Sequence, residues 1–345
     1  MSIDYRQPEN RLEYFKQLYN VNVSNKVHPG LVYLYLPELK AYYNWDDETA
    51  LWFAVINGHT QNPITSLKIL EFMPYPNMSE SEWKLADDKF NADWKTLSFD
   101  ADRNKHKKNT IKGLRSYVEL MGGKSQVELF SNKTYEEYWD IAYSIYSFGR
   151  LSTFSYLEYV RICGFGSDCT NLMFNDFSGS RSHRNGMFFL LGMDDMVFDK
   201  RQIPSHNGKY DNFQSMCETL EVKAEQFLFD FDKEFGYNND ISKFTLESCL
   251  CQFKNGFFKR RYPGVYADMA LDRIKWYDSR GFDKFTEPFK AIRSDKLPDW
   301  LREECEVIVT PRKVKASMLV ETGKPFRCEY VLGEKQNLIG LETFL

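Results

Sequence analysis

The chain of 345 residues carries 45 Lys+Arg against 49 Asp+Glu, a net charge of −4 at pH 7. That balance excludes nucleic-acid binding through bulk positive charge, so any such binding must come from local patches. Seven scattered cysteines, with no CxxC pair, exclude a disulfide framework and supply no zinc motif, as expected in a reducing cytosol.

No charged-then-apolar leader follows Met1, and no apolar run is long enough to span a bilayer. The expectation is a cytoplasmic protein with no membrane partner. Most of the chain reads as helices joined by short connections. After the apolar helix Leu51 to Ile56 comes Asn57-Gly58-His59-Thr60-Gln61-Asn62-Pro63, a turn in which Gly58 supplies flexibility and Pro63 starts the next helix. Its amides, imidazole and hydroxyl suit reading a base edge or holding a small polar ligand. The same residue types also make ordinary helix–helix connections. Ser79 with Glu82, and Thr134 with Glu137, form capping boxes ahead of helical apolar spacing. Between them, Arg103, Lys105, His106, Lys107 and Lys108 form a basic run, and Gly122-Gly123 closes the helix that ends near Leu120.

Phe148 to Glu158 carries Arg150, Ser152, Tyr156 and Glu158. Arg150 and Glu158 are about two helical turns apart and so share a face. Either charge is costly to bury alone among aromatics, which points to a structural pair or to a phosphate-binding arginine steadied by its neighbours. The stretch from Asn171 to Gly192 is the most informative. Asn175, Asp176, Ser178, Ser180, Arg181, Ser182, His183, Arg184 and Asn185 lie between the apolar runs Leu172–Phe174 and Met187–Leu191. Apolar runs on both sides anchor in a core, so the polar residues between them are held in place. Two guanidiniums and an imidazole held with hydroxyls make a receptor for phosphate or carboxylate, and a helix starting near Ser182 adds its free amides. The plain alternative is a capped helix start with solvated arginines.

Met216, Leu220, Ala224, Phe227, Phe231 and Phe235 keep helical spacing up to Gly236, a C-terminal cap. Leu250, Phe253 and Phe257 make a further stripe, and Pro263 sits where a first helical turn tolerates it. Cys249 and Cys251 point in different directions on a helix, so a metal shared between them is not expected. Lys254, Lys259, Arg260 and Arg261 form a second basic run interleaved with Phe253, Phe257, Phe258 and Tyr262. Two such runs in an acidic chain suit tracking a phosphate backbone with aromatics for base stacking, although a charge run taken alone is usually a solvated face. Cys305 to Thr310 and Phe326 to Leu332 read as strands in a region broken by Pro298, Pro311 and Pro325. The expected layout is a helical domain over residues 1–285 and a small mixed α/β appendage over residues 286–345.

Five stretches together resemble one family. They are Leu51–Pro63 (LWFAVINGHTQNP) followed by TSLKILEFMP, then YSFGRLSTFSYLEYV, NLMFNDFSGSRSHRNG with its trailing LLG, and TLESCLCQFK. In order and spacing they are similar to the bacteriophage amino acid:DNA transferases, also called α-glutamyl/putrescinyl thymine pyrophosphorylases. The resemblance runs from roughly Glu13 to Asp272. It implies a mainly α, multi-helix fold related to DNA glycosylases. It also implies a reaction in which pyrophosphorylated 5-hydroxymethyluracil in phage DNA exchanges pyrophosphate for the amine of an amino acid or polyamine.

That implied reaction gives the residues roles. Arg181, Arg184 and Arg150 would stabilise departing pyrophosphate. His183, Asp176 or His59 would take a proton from the amine. Asn57, His59, Gln61 and Asn62 would line the base or amine pocket. Ser152, Tyr156, Glu158, Asn175, Ser178, Ser180 and Asn185 would complete the substrate contacts. Arg103, Lys105, Lys107, Lys108, Lys259, Arg260 and Arg261 would hold the DNA backbone. A divalent cation such as Mg could bridge pyrophosphate to Asp176 or Glu158, but no ligand spacing demands a metal. The partners expected are modified DNA and a small amine, in the cytoplasm of an infected cell. Two rivals remain at this level: a DNA glycosylase acting on a modified pyrimidine, and a non-catalytic phage DNA-binding protein.

Overall fold

A computed structural model describes residues 7–176, 181–198, 212–237, 241–257 and 264–302. The described residues form helices and turns, with no strand among them. In chain order the α-helices are α1 (Pro8–Ser24), α2 (Val32–Tyr42), α3 (Asp47–Thr60), α4 (Pro63–Phe72) and α5 (Glu80–Asp93). There follow α6 (Thr110–Met121), α7 (Gln126–Leu129), α8 (Tyr135–Tyr143), α9 (Arg150–Ile162) and α10 (Arg181–Leu190). The last are α11 (Phe213–Phe235), α12 (Lys243–Phe257), α13 (Val265–Asp278), α14 (Asp283–Lys296) and α15 (Asp299–Arg302).

Local signals set most of these boundaries. Ser79 and Glu82 form a reciprocal capping box at the start of α5, and Thr134 and Glu137 do the same for α8. Gly122 ends α6 and Gly236 ends α11, each in the left-handed conformation that glycine adopts without a Cβ penalty. Pro63 occupies the first turn of α4, where its missing N–H costs nothing. Of the region expected as a mixed α/β appendage, the described residues 286–302 hold the rest of α14 and α15. The two expected strands and Pro263 lie outside the described residues.

The chain packs as two compact units. One comprises Met1–Leu31, Cys169–Asp272 and Leu297–Leu345; the other comprises Val32–Asp168 and Arg273–Lys296. In the second unit α3 is the central element, because every residue from Ala50 to Thr60 is buried. A helix buried on all sides must carry its few polar groups into hydrogen bonds. Its start is fixed by Asp46, whose carboxylate accepts from the Thr49 amide at 2.8 Å. Glu48 then turns away and accepts from the amides of Gln126 and Val127 at 3.0 and 2.9 Å, capping α7. In the first unit α10 and α12 pack most closely. A Cβ at Gly186 would lie 2.3 Å from the Leu250 carbonyl oxygen, so only glycine permits that approach. Beside them, Phe15, Phe231 and Phe253 form an aromatic core joining α1, α11 and α12.

Candidate active site

The α3–α4 junction builds a buried polar cluster in the second unit. The expected turn from Asn57 to Asn62 is mostly helix: α3 runs through Thr60, and only Gln61 turns, with φ 53°. Gly58 therefore does not supply flexibility. A Cβ there would meet the Phe148 ring at 2.8 Å, so the glycine lets that ring approach. The Ser66 hydroxyl is the hub of the junction, 2.6 Å from the Thr60 hydroxyl and 3.0 Å from the Asn57 side-chain oxygen Oδ1, to which it donates. Asn62 caps α4 by accepting from the Thr65 amide at 3.2 Å, and Tyr159 donates to the Gln61 side-chain oxygen Oε1 at 3.1 Å.

The amide oxygens of Asn57, Gln61 and Asn62 are thus all engaged, while their buried nitrogens find no acceptor among the described residues. An unsatisfied buried donor costs about 1–3 kcal/mol. Three in one junction make an apparatus short of acceptors, and a ligand presenting carbonyl oxygens would recover that cost. His59 sits with them. Burial pushes its pKa down to about 3, with the Arg103 charge adding to the effect, so the ring is neutral at ordinary pH. The ring packs 4.6 Å from Phe148 and fills the space above Gly113, where a Cβ would lie 2.1 Å from the ring carbon Cε1.

Arg150 begins α9 after Gly149, which contributes no side-chain cap. Arg150 and Glu158 are both buried, as are Ser152 and Tyr156. The Arg150 guanidinium lies 5.6 Å from the Phe154 ring centroid, and Glu158 accepts from the Tyr33 hydroxyl at 2.8 Å.

In the first unit, the segment before α10 is fastened through its backbone. His183 Nε2 lies 2.9 Å from the Leu172 carbonyl oxygen. Arg184 donates to the carbonyls of Phe174 and Asp176 at 2.9 and 3.1 Å, with its guanidinium 4.3 Å from the Phe198 ring centroid. Burial raises the Glu221 pKa, against the pull of the Leu172 backbone amide, Lys243 and the Phe174 backbone amide, all of which favour the carboxylate. Lys243 donates to the Thr170 carbonyl at 2.6 Å. Leu172 and Phe174 are buried, as the apolar flanks required. Carbonyls are therefore held by cationic side chains and amides by a carboxylate. His183 and Arg184 are fully buried in these contacts, while Arg181 and Asp176 remain half-buried. Asn185 donates to the Phe198 carbonyl at 2.9 Å, and Asn175 is exposed, 3.3 Å from Gln214. Ser178 and Ser180 lie outside the described residues.

The first basic run divides. Arg103 is buried and gives both terminal nitrogens to the Ser147 carbonyl at 3.0 Å. Lys107 donates to the Leu97 carbonyl, and burial lowers its pKa. Lys105 and Lys108 are exposed. Lys259, Arg260 and Arg261 of the second run lie outside the described residues. Sequence reasoning missed Glu247, whose Oε1 lies 3.0 Å from His183 Nδ1. The signal available was the spacing of Glu247 and Cys251, one helical turn apart on α12.

The family described as amino acid:DNA transferase matches residues 31–262, more than half of the chain, and the chain belongs to that family. It is also similar to a serinyltransferase of Salmonella phage ViI, with 29% identity over 361 residues, covering 94% of this chain and 84% of that protein. No solved structure matches the chain. No described helix is long and apolar enough to cross a membrane.

Proposed function

We propose that this chain displaces pyrophosphate from 5-(pyrophosphoryloxymethyl)uracil in phage DNA with the amine of an amino acid or polyamine. The observation that carries the proposal is the reach of the family match, since residues 31–262 include both polar junctions. The name of the phage relative makes serine the first amine to test.

In the reaction the amine lone pair attacks the 5-methylene carbon. The carbon–oxygen bond breaks, pyrophosphate leaves with its electron pair, and the new ammonium gives up a proton. Arg181, half-buried at the described start of α10 in one unit, and Arg150, in the first turn of α9 in the other, each carry a guanidinium that favours phosphate. Arg184 acts as a positioning residue through its two carbonyl contacts. Asp176 is the better base. His59 is held neutral with a depressed pKa, and both nitrogens of His183 face protein acceptors. The donors of Asn57, Gln61 and Asn62 suit the two carbonyl oxygens of a uracil-type base taken out of the stack. Lys105 and Lys108 are exposed charges of the first basic run that suit contact with a DNA backbone.

The test is mass spectrometry of nucleosides from pyrophosphorylated hydroxymethyluracil DNA treated with the protein and serine, other amino acids or putrescine. A nucleoside bearing one amine is expected. Abasic sites or free base would replace this reading with a glycosylase, and unchanged nucleosides across all amines would reject transfer. Arg181→Ala is expected to abolish the product with the circular dichroism spectrum unchanged; full activity in that variant would remove Arg181 from the mechanism.

A further inference from the structure

The closest helix pair of the first unit places three metal-ligating side chains together. Gly186 lets α10 and α12 approach until a Cβ would meet the Leu250 carbonyl, and that approach sets the His183 ring against α12. Glu247 and Cys251 are one turn apart on that helix and share a face. His183 Nδ1 lies 3.0 Å from Glu247 Oε1, and Cys251 Sγ lies 3.6 Å from the same oxygen. One ligand atom from each of the three residues falls within 4.8 Å of the others.

The histidine tautomer sharpens the case. Nε2 faces the Leu172 carbonyl at 2.9 Å, and a carbonyl accepts only from N–H, so Nε2 carries a proton. The neutral ring then presents the Nδ1 lone pair to a carboxylate oxygen 3.0 Å away. Two lone-pair atoms at that distance must share a cation, either a proton or a metal ion. Fixing one ring nitrogen on a backbone carbonyl is also how metal-bound histidines are oriented.

The donor set separates the two cations. A proton shared by the histidine and the glutamate leaves Cys251 donating its own thiol proton to the same carboxylate oxygen at 3.6 Å, whereas one divalent ion takes all three groups as ligands. Imidazole, carboxylate and thiolate together suit zinc, whose bonds of about 2.0–2.3 Å put tetrahedral ligand atoms roughly 3.3–3.6 Å apart. The two distances to the glutamate oxygen, 3.0 and 3.6 Å, lie close to that range, and all three ligand atoms fall within 4.8 Å of one another. Cys249 is a different case: it is fully buried and takes a hydrogen bond from Asn22 at 3.3 Å.

We propose that His183 Nδ1, the Glu247 carboxylate and Cys251 Sγ bind one zinc-class divalent ion, leaving a fourth position for water or another oxygen ligand. Binding releases to solvent the Cys251 thiol proton and any proton shared by His183 and Glu247, so it tightens as pH rises. The site stands on its own geometry and is independent of the reaction proposed above. It also brings together two of the stretches that carry the family resemblance, NLMFNDFSGSRSHRNG and TLESCLCQFK.

The probe is cobalt(II) added to the full-length, chelator-treated protein, read by absorbance. One equivalent should give a thiolate-to-cobalt charge-transfer band that zinc bleaches. Cys251→Ser should abolish the band, Glu247→Gln should weaken cobalt binding, and Cys163→Ser should leave both unchanged. A folded wild-type protein with no such band, or a band that survives Cys251→Ser, would overturn the proposal. The readout requires neither DNA nor activity, so its failure is distinct from failure of the transferase reading.

Discussion

The two polar junctions are both buried, yet they satisfy burial in opposite ways. At α3–α4 the groups are neutral. Hydroxyls and amide oxygens close on the Ser66 hub, and three amide nitrogens are left over. At α10–α12 the groups are charged or chargeable and act on backbone. His183, Arg184 and Lys243 take carbonyls, and Glu221 takes amides. The first arrangement has spare donors for an acceptor-bearing ligand. The second fastens the backbone of Leu172, Phe174 and Asp176 to buried side chains. Spare donors and a fastened backbone thus come from different residue types, neutral at one junction and charged at the other.

The sharpest test of the fastened junction is Gly186→Ala. Its obstacle is the Leu250 backbone, so α10 and α12 must separate, at a cost of about 3 kcal/mol or more. At the neutral junction, Gly113→Ala meets the His59 ring rather than backbone, and about 1–3 kcal/mol is expected. Urea denaturation midpoints measure both. Equal losses would mean that the two helix contacts are equally yielding.

Acid should come next in size. Burial holds both His28 and His59 at a pKa of about 3, one in each unit, so the fold resists protons that the unfolded chain accepts below 6.5. Their contribution to stability is complete above about pH 6.5 and is lost as pH falls toward 3. At pH 5 the loss is about 2 kcal/mol per histidine. His59→Gln should flatten the profile of its own unit and leave the His28 share in place. An unchanged profile in that variant would mean that His59 titrates normally.

Ser66→Ala should give the smallest effect, about 1 kcal/mol, because it removes the hub hydroxyl but leaves Thr60 bonded to the Asn62 amide. A loss above that of Gly113→Ala would mean that the neutral junction depends on its hydroxyls more than on its packing.

Much of this architecture was legible in the sequence, for local reasons. Capping boxes at Ser79 and Thr134, and glycine stops at Gly122 and Gly236, act within a single turn and need no tertiary knowledge. The described part of α10 begins at Arg181, one residue before the position the Ser182 signal indicated, and the residues just ahead of it lie outside the described residues. Asn57–Thr60 misled because asparagine, glycine and histidine have weak helix propensity, and burial on every side overrode it. The loop arginines show a different limit. Composition marks Arg184 as a cation held by its surroundings, but cannot say that a backbone carbonyl is what it holds. Glu247 escaped notice because its partner, His183, lies on another helix, and only the Gly186 contact brings the two together.

The transfer reaction makes one demand that no rival shares: both phosphorus atoms must leave together, once for each amine gained. DNA carrying pyrophosphorylated hydroxymethyluracil, labelled in both phosphates, should be incubated with the protein and serine or another accepted amine. The label is expected in free pyrophosphate, with one pyrophosphate per amine-bearing nucleoside. Label released without amine incorporation, label released as single phosphates, or label leaving on a free base would contradict transfer by displacement of pyrophosphate.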